Sequence, residues 1–289
     1  MGKAVATEGP LGSPVATKGP PAAHRPLVLH MFSGPSPRKD GLAAYLVAAG
    51  IGATDMDLVN CHLQDQDISD DSVWERTRQR LRQGEFDFVF AGPPCRTFSE
   101  ARAQRPGPPV LRSPEHPYGY PKSQAWQHGL QAHHFEQIRV DNLLAERTAE
   151  ACKIMLDSGR GFAVEQPCPW RQGTSSVTMF DFDSFKVLVK RGAKLAKFDQ
   201  CMYGAKCKKP TQILYWKALF AGVEVACSHP PCWQEAPGGK RAWAPHPSMA
   251  GIRDESGKYA TRELAAYPAG LNRRIAAIIA ASLKPKSSS

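Results

Sequence analysis

The chain has 289 residues, 42% of them hydrophobic, enough for one large or two modest globular units with a true core. No apolar run approaches the ~18 residues of a membrane span, and the N-terminus lacks the apolar stretch of a secretory signal, so a membrane or secreted protein is not expected and nucleus or cytoplasm is. The formal net charge of +10 suits a polyanionic partner such as nucleic acid; a solvated basic surface without a partner is the alternative.

Residues 1–26 form a tail rich in Pro, Gly and Ala, in which Val5-Ala6-Thr7-Glu8-Gly9-Pro10 recurs as Val15-Ala16-Thr17-Lys18-Gly19-Pro20. Such a repeat buries too little apolar surface to offset its ordering entropy, and disorder is expected. Met1-Gly2 suits N-myristoylation, but Ala6 stands where that motif needs Ser or Thr. Leu27 to Phe32 reads as the first strand and ends at Ser33-Gly34-Pro35-Ser36-Pro37. A helix then carries Leu42, Tyr45, Leu46 and Ala49 at helical spacing, closed by Gly50 and Gly52. A second strand, Ala53 to Met56, ends in Asp55-Met56-Asp57. In nucleotide-binding folds an acid there bonds a ribose hydroxyl. The glycines do not follow G-x-G-x-x-G, so a plain βαβ unit with a surface acid is the alternative. Asp67-Ile68 precedes a helix from Asp70-Asp71 to Arg82, with acids in its first turn and arginines in its last.

Phe86 to Ala91 is an apolar run that reads as a buried strand, stopped by Gly92-Pro93-Pro94. This leaves Cys95 where a sheet strand ends, the usual place for a ligand crevice in open α/β sheets. A thiol there is either a small buried hydrophobe or a nucleophile. The following loop holds Arg102, Arg105 and Arg112 among prolines, glycines, Tyr118 and Tyr120. The arginines suit phosphates and the aromatics suit bases, against the alternative of an ordered surface insertion. His133 and His134 read as surface residues ahead of a helix over about Gln137 to Ser158, with Ile138, Leu144, Ala151 and Met155 on its apolar face. Gly161 to Val164 reads as a strand, and Glu165-Gln166-Pro167 follows it; Glu165 is either a site acid or half of an ordinary salt bridge. A helix over Met179 to Lys190 and a strand over Lys194 to Phe198 continue the alternation.

Cys227, His229 and Cys232 have Cys-x-His-x-x-Cys spacing, with His246 fourteen positions further on and Cys201 and Cys207 upstream. Zinc takes four N or S ligands, so a structural zinc and a metal-free Cys/His-rich loop both stand. Leu271, Ile275, Ile278, Ile279 and Leu283 give the last segment helical amphipathicity.

Pro94-Cys95-Arg96-Thr97-Phe98-Ser99 resembles the P-C-x-x-F-S nucleophile motif of the DNA cytosine-5 methyltransferases, and Phe32-Ser33-Gly34 sits where their F-x-G cofactor loop belongs. The resemblance runs from about Leu27 to Leu283. It implies S-adenosylmethionine-dependent methylation of cytosine C5 in DNA, with Cys95 as nucleophile and Glu165 as the acid that holds the ring. It further implies that Phe32, Ser33, Gly34, Asp55, Asp67, Ile68, Pro94 and Asn272 form the cofactor pocket. Asp55 would take the ribose, and Asp67-Ile68 would lie beside the adenine. Arg96, Ser99, Arg102, Arg105, Arg112 and Lys209 would face nucleic acid. Tyr203-Gly204 and Lys209 to Leu214 match the family's Y-G-x-P-Q region in outline, without its paired arginines. His30 stands where the family's cofactor motif opens with an acid, and Pro35 and Pro37 replace the glycines after Gly34. An RNA cytosine-5 methyltransferase of the same fold and an inactive DNA- or cofactor-binding module stay open. The expected architecture is a doubly wound, mostly parallel α/β sheet. Its catalytic core spans 27–214, a small recognition and Cys/His-rich region 215–259, a closing helix 260–283 and a tail 284–289. A monomer is expected.

Overall fold

A computed structural model describes residues 24–57, 66–103, 107–169, 176–236, 240–247, 249, 252–253, 257 and 264–284. The repeat of the N-terminal tail and Arg105 lie outside the described residues. The strands are β1 (Leu27–Met31), β2 (Gly52–Met56), β3 (Phe88–Ala91), β4 (Gly161–Pro167), β5 (Lys194–Asp199) and β6 (Pro210–Trp216), joined into one sheet in the order β2-β1-β3-β4-β6-β5. β2, β1, β3 and β4 run parallel, and β6 is antiparallel to both of its neighbours. The helices are α1 (Leu42–Ala48), α2 (Asp71–Arg82), α3 (Ala132–Asp157), α4 (Asp183–Lys190) and α5 (Ala269–Leu283). The doubly wound α/β expectation holds.

The two faces of the sheet can be read from strand alternation. Leu29, Met31, Val89, Ala91, Phe162 and Val164 pack with α2, α3 and α4 through Trp74, Leu81, Met155 and Phe185. Val28, Phe88, Phe90, Ala163 and Ile213 pack on the other side with Leu42 and Leu46 of α1 and Leu271, Ile275 and Ile279 of α5. The chain leaves β1 for β2 on one side and returns to β3 on the other. The C-terminal ends of β1 and β3 therefore form the switch point at which such sheets open a crevice.

Element ends depart from the sequence reading in instructive ways. β4 continues through Glu165, Gln166 and Pro167 because β6 supplies their partners Ile213, Gln212 and Thr211, so Glu165 lies within a strand and not after one. α3 begins five residues earlier than expected. Gln131 caps it in a reciprocal box, in which the Gln131 N–H donates to His134 Nδ1 at 3.0 Å. His134 is consequently buried rather than a surface residue. α2 begins as read, with Asp70 accepting from the amides of Ser72 and Val73. In the stretch read as a Cys/His-rich loop the chain forms a separate hairpin, β7 (Cys232–Ala236) with β8 (Lys240–Ala244).

Candidate active site

A cavity of about 1320 Å³ opens at the switch point. Its wall is built from the ends of the parallel strands: Phe32, Ser33 and Gly34 after β1, Asp57 after β2, Gly92 to Cys95 after β3, and Glu165 and Pro167 of β4. The turn after β1 is shaped by Phe32 and Gly34, with φ of 61° and 73°. The Phe32 amide donates to Met56 O at 2.6 Å and the Gly34 amide to Asp57 Oδ2 at 2.7 Å, so the backbone of the turn wraps the end of β2.

Cys95 sits on the wall, partly exposed, one residue past the proline pair. Burial of its sulfur pushes the thiol up to about 11; the Lys209 ammonium works against this, while the carboxylates of Glu165 and Asp141 add to it. The loop that follows is fastened to α3. Thr97 Oγ1 donates to Asp141 Oδ2 at 2.7 Å and Arg96 Nε to Asp141 Oδ1 at 3.1 Å, and Asp141 is almost wholly enclosed. Burial pushes the Asp141 carboxyl up, against the pull of these two donors.

Glu165 is 5% exposed. Its Oε2 accepts from the Tyr267 hydroxyl at 2.8 Å, whereas Oε1 is buried with no partner among the described residues. An unmatched carboxylate oxygen is costly, on the order of 1–3 kcal/mol or more for a charged group, and here it belongs to a residue of the cavity wall. Tyr267 is half-buried; burial, Glu165 and Cys95 all push its phenol well above the ordinary value, so it remains a donor. Gly92 makes this arrangement possible: a Cβ there would collide with the Tyr267 hydroxyl and reach within 3.9 Å of Glu165 Oε2. Next along β4, Gln166 Nε2 donates to Pro93 O at 2.9 Å, which ties the acid-bearing strand to the proline pair beside Cys95.

The other expected residues divide. Pro94, Asp67, Ile68, Ser99 and Asn272 line the cavity together with Cys95 and Glu165. Asn272 Nδ2 donates to Asp40 O at 2.8 Å, which binds α5 to the segment before α1. Lys209 lies there too, its Nζ donating to Leu264 O at 2.9 Å and standing 5.7 Å from the Tyr267 ring. Arg96 is half-exposed beside the cavity. Arg102 reaches it as well, but its guanidinium donates to Pro109 O and Arg96 O and so holds the loop. Arg112 does not face outward: it is 3% exposed, bonds Thr97 Oγ1 at 2.9 Å and Pro117 O at 2.7 Å, and lies 3.9 Å over the Phe98 ring. Enclosure pulls this guanidinium down to about 10.

Asp55, expected at the ribose, is turned away from the cavity. His30 pairs with it across β1–β2, and its carboxylate takes His30 Nδ1 at 2.9 Å and the Ser36 hydroxyl at 2.8 Å. Burial would raise its carboxyl, but these partners hold it below the usual range. Asp57, two residues on and just past the strand end, lines the cavity in its place, as does Asp67. Strand alternation is no guide beyond the last paired residue, where the chain turns.

Cys227 and His229 converge with Cys201 and His246, whereas Cys232 lies on β7, exposed, accepting from Gln234 Nε2. The hairpin also presents two facing indoles, Trp233 and Trp243, 57% and 59% exposed with ring centroids 5.4 Å apart, and the Arg241 guanidinium lies 5.6 Å from the first.

Fold and cavity together describe a doubly wound α/β protein with a thiol and a buried acid at its switch point. No family model matches the sequence, and no curated protein matches it. Among solved structures, the chain is similar to one named "putative DNA modification methyltransferase encoded within prophage" from E. coli, at 14% identity and a TM-score of 0.35. The match covers 66% of this chain and 46% of that one, so the chain spans less than half the length of that structure. Among the described residues, no helix is long and apolar enough to cross a membrane.

Proposed function

We propose that the chain is an S-adenosylmethionine-dependent DNA methyltransferase that acts on cytosine C5 through a covalent adduct to Cys95. The observation that carries this reading is the enclosed carboxylate of Glu165, with one oxygen held by Tyr267 and the other unmatched among the described residues, on the same cavity wall as a cysteine whose thiol it influences. Cytosine C5 is a weak nucleophile until a sulfur adds at C6. That addition pushes electron density toward N3 and the exocyclic amine, where a fixed acidic group is needed. Glu165 Oε1 is an acceptor waiting for an amine N–H. Thiol activation falls to the site: at pH 7 only about one Cys95 in ten thousand would be thiolate, so the positive charge of Lys209 and the bound base must lower the thiol.

The cavity's chemistry fits the methyl donor. Asp57 offers a carboxylate for ribose hydroxyls, Ile68 and Phe32 offer apolar surface for an adenine, and the turn from Phe32 to Gly34 brings backbone to the wall. When bound there, S-adenosylmethionine supplies an electrophilic methyl group. The chain's own residues add and release the sulfur, hold the ring and exclude water. A base reaching this depth must leave its stack, at a cost of a few kcal/mol. The exposed Trp233–Trp243 pair and Arg241 supply stacking and charge outside the cavity, in the region expected to recognise the target.

The test uses DNA carrying 5-fluorocytosine, in which the C5 proton cannot leave. Full-length protein with S-adenosylmethionine is expected to form a denaturant-stable adduct that Cys95→Ala abolishes. An adduct that persists in Cys95→Ala refutes the nucleophile. Parallel labelling of DNA and RNA with tritiated methyl donor identifies the polymer, and label only in RNA overturns the DNA reading.

A further inference from the structure

The Cys/His cluster lies outside the chemistry described above. Cys201 sits in the short turn Gln200–Tyr203 after β5, Cys227 and His229 lie ahead of the hairpin, and His246 directly follows it. Their four potential ligand atoms all lie within 4.8 Å of one another. Cys227 Sγ is 3.5 Å from His229 Nδ1 and 3.3 Å from His246 Nε2. A zinc tetrahedron with Zn–S of about 2.3 Å and Zn–N of about 2.0–2.1 Å has an S···N edge of roughly 3.5–3.6 Å, so two edges are already near their bound length.

The surroundings are those of a supported ligand set. The Cys227 amide donates to Asp199 Oδ2 at 2.7 Å, which fixes the backbone that carries the thiol. The His246 ring also lies against the Lys206 backbone, whose carbonyl can orient a ligand imidazole. Cys201 is 5% exposed, while His229 reaches the surface, leaving an entry path.

We infer that Cys201, Cys227, His229 and His246 form a Cys₂His₂ structural zinc site that staples the β7–β8 hairpin to the sheet. The sequence spacing alone favoured Cys232 as the third close ligand, but that residue is carried away along β7. The mechanical reason for a staple is plain. The hairpin pairs only with itself among the described strands, and an isolated two-stranded hairpin is marginal in water. A closed four-ligand shell joins both ends of the hairpin to the end of β5. It does so without an open coordination position, so its role is to hold and not to catalyse. The inference does not depend on the methyltransferase reading.

The test uses the full chain, expressed with zinc and freed of loose metal by gel filtration. About one zinc per chain is expected by elemental analysis, retained in Cys232→Ser and lost in Cys227→Ser. Cobalt(II) exchanged into the wild-type protein should show the visible bands of a tetrahedral site with thiolate charge transfer, which reads the ligand set even where a variant fails to fold. Chelation should speed protease cleavage between Cys232 and Ala244 at least about tenfold, because the hairpin's opening is no longer tied to the sheet. Substoichiometric zinc after loading, an octahedral cobalt spectrum, or equal metal loss in Cys232→Ser and Cys227→Ser overturns the site. Unchanged cleavage of the hairpin after chelation overturns the staple.

Discussion

Glu165→Gln should move the two activities of Cys95 in opposite directions. The substitution keeps size and shape, and its amide oxygen can still accept from the Tyr267 hydroxyl that now bonds Oε2. It removes one negative charge that helps hold the Cys95 thiol near 11 rather than the ordinary 9.0. Those two pH units mean about a hundredfold less thiolate at neutral pH. Burial is the largest cause and survives the change, so only part of the hundredfold returns. An increase of about three- to tenfold in alkylation of Cys95 by iodoacetamide is the expected result, with no base bound. Methyl transfer should fall by at least about a hundredfold, because an amide cannot serve the developing charge as a carboxyl does. The assay is the alkylation rate of the Cys95 peptide by mass spectrometry across pH, beside tritium incorporation into DNA. In both proteins the rate should climb about tenfold per pH unit and bend only near the thiol's own value, lower in the variant. Lys209→Met should shift the same curve the other way, since its ammonium holds the thiol down. Unchanged or slower alkylation in Glu165→Gln would refute the electrostatic link between acid and thiol.

Gly92→Ala should leave a folded protein with little activity, because the new methyl displaces the Tyr267 hydroxyl from Glu165; circular dichroism and adduct formation check the two halves. Asp57→Asn should weaken S-adenosylmethionine binding by about tenfold or more in calorimetry. Asp55→Asn should mainly lower thermal stability, since its partners His30 and Ser36 are internal. Alanine at Trp233 or Trp243 should reduce affinity for single-stranded or flipped-base DNA by about 1–3 kcal/mol without altering Tm, as both rings are more than half exposed.

The central sheet was legible because its strands are short apolar runs ended by glycine and proline, as at Gly92-Pro93-Pro94, and its helices carry clean periodicity and caps, as at Asp70. What sequence reasoning missed came from contacts distant in the chain. Nothing local marks Tyr267 as the partner of an acid 102 positions earlier; its one clue is its place just ahead of the helix that returns to the first strands. Arg112 looked like a phosphate ligand because arginines in proline-rich loops usually reach solvent. Burial beneath Thr97 and over Phe98 depends on where α3 brings Asp141, which no spacing reveals. The hairpin was invisible for a related reason: Cys232–Ala236 and Lys240–Ala244 lack apolar alternation facing a core, and they pair across their own turn.

His30 looked like a defect in the cofactor motif, and its setting supports a different reading. It lies opposite Asp55 in the β1–β2 register, 5% exposed, with its ring 5.6 Å from Phe90. An acid at position 30 would set two carboxylates side by side in a closed space, and like charges there are costly. The imidazole instead satisfies one oxygen of Asp55 while Ser36 satisfies the other, and this fastens the proline-bearing turn to β2. Pro35 and Pro37 reduce the freedom the turn loses on folding, so fewer bonds are needed to fix it. With Asp55 engaged in that brace, the cavity side is left to Asp57, whose Oδ2 takes the Gly34 amide. His30, Ser36 and the two prolines thus act together: they brace the turn after β1 against β2, and on the proposed reading they leave the ribose to Asp57, two residues along the chain. His30→Asp should accordingly cost more stability than His30→Asn, which keeps a donor for Asp55, and neither should remove the acid at position 57.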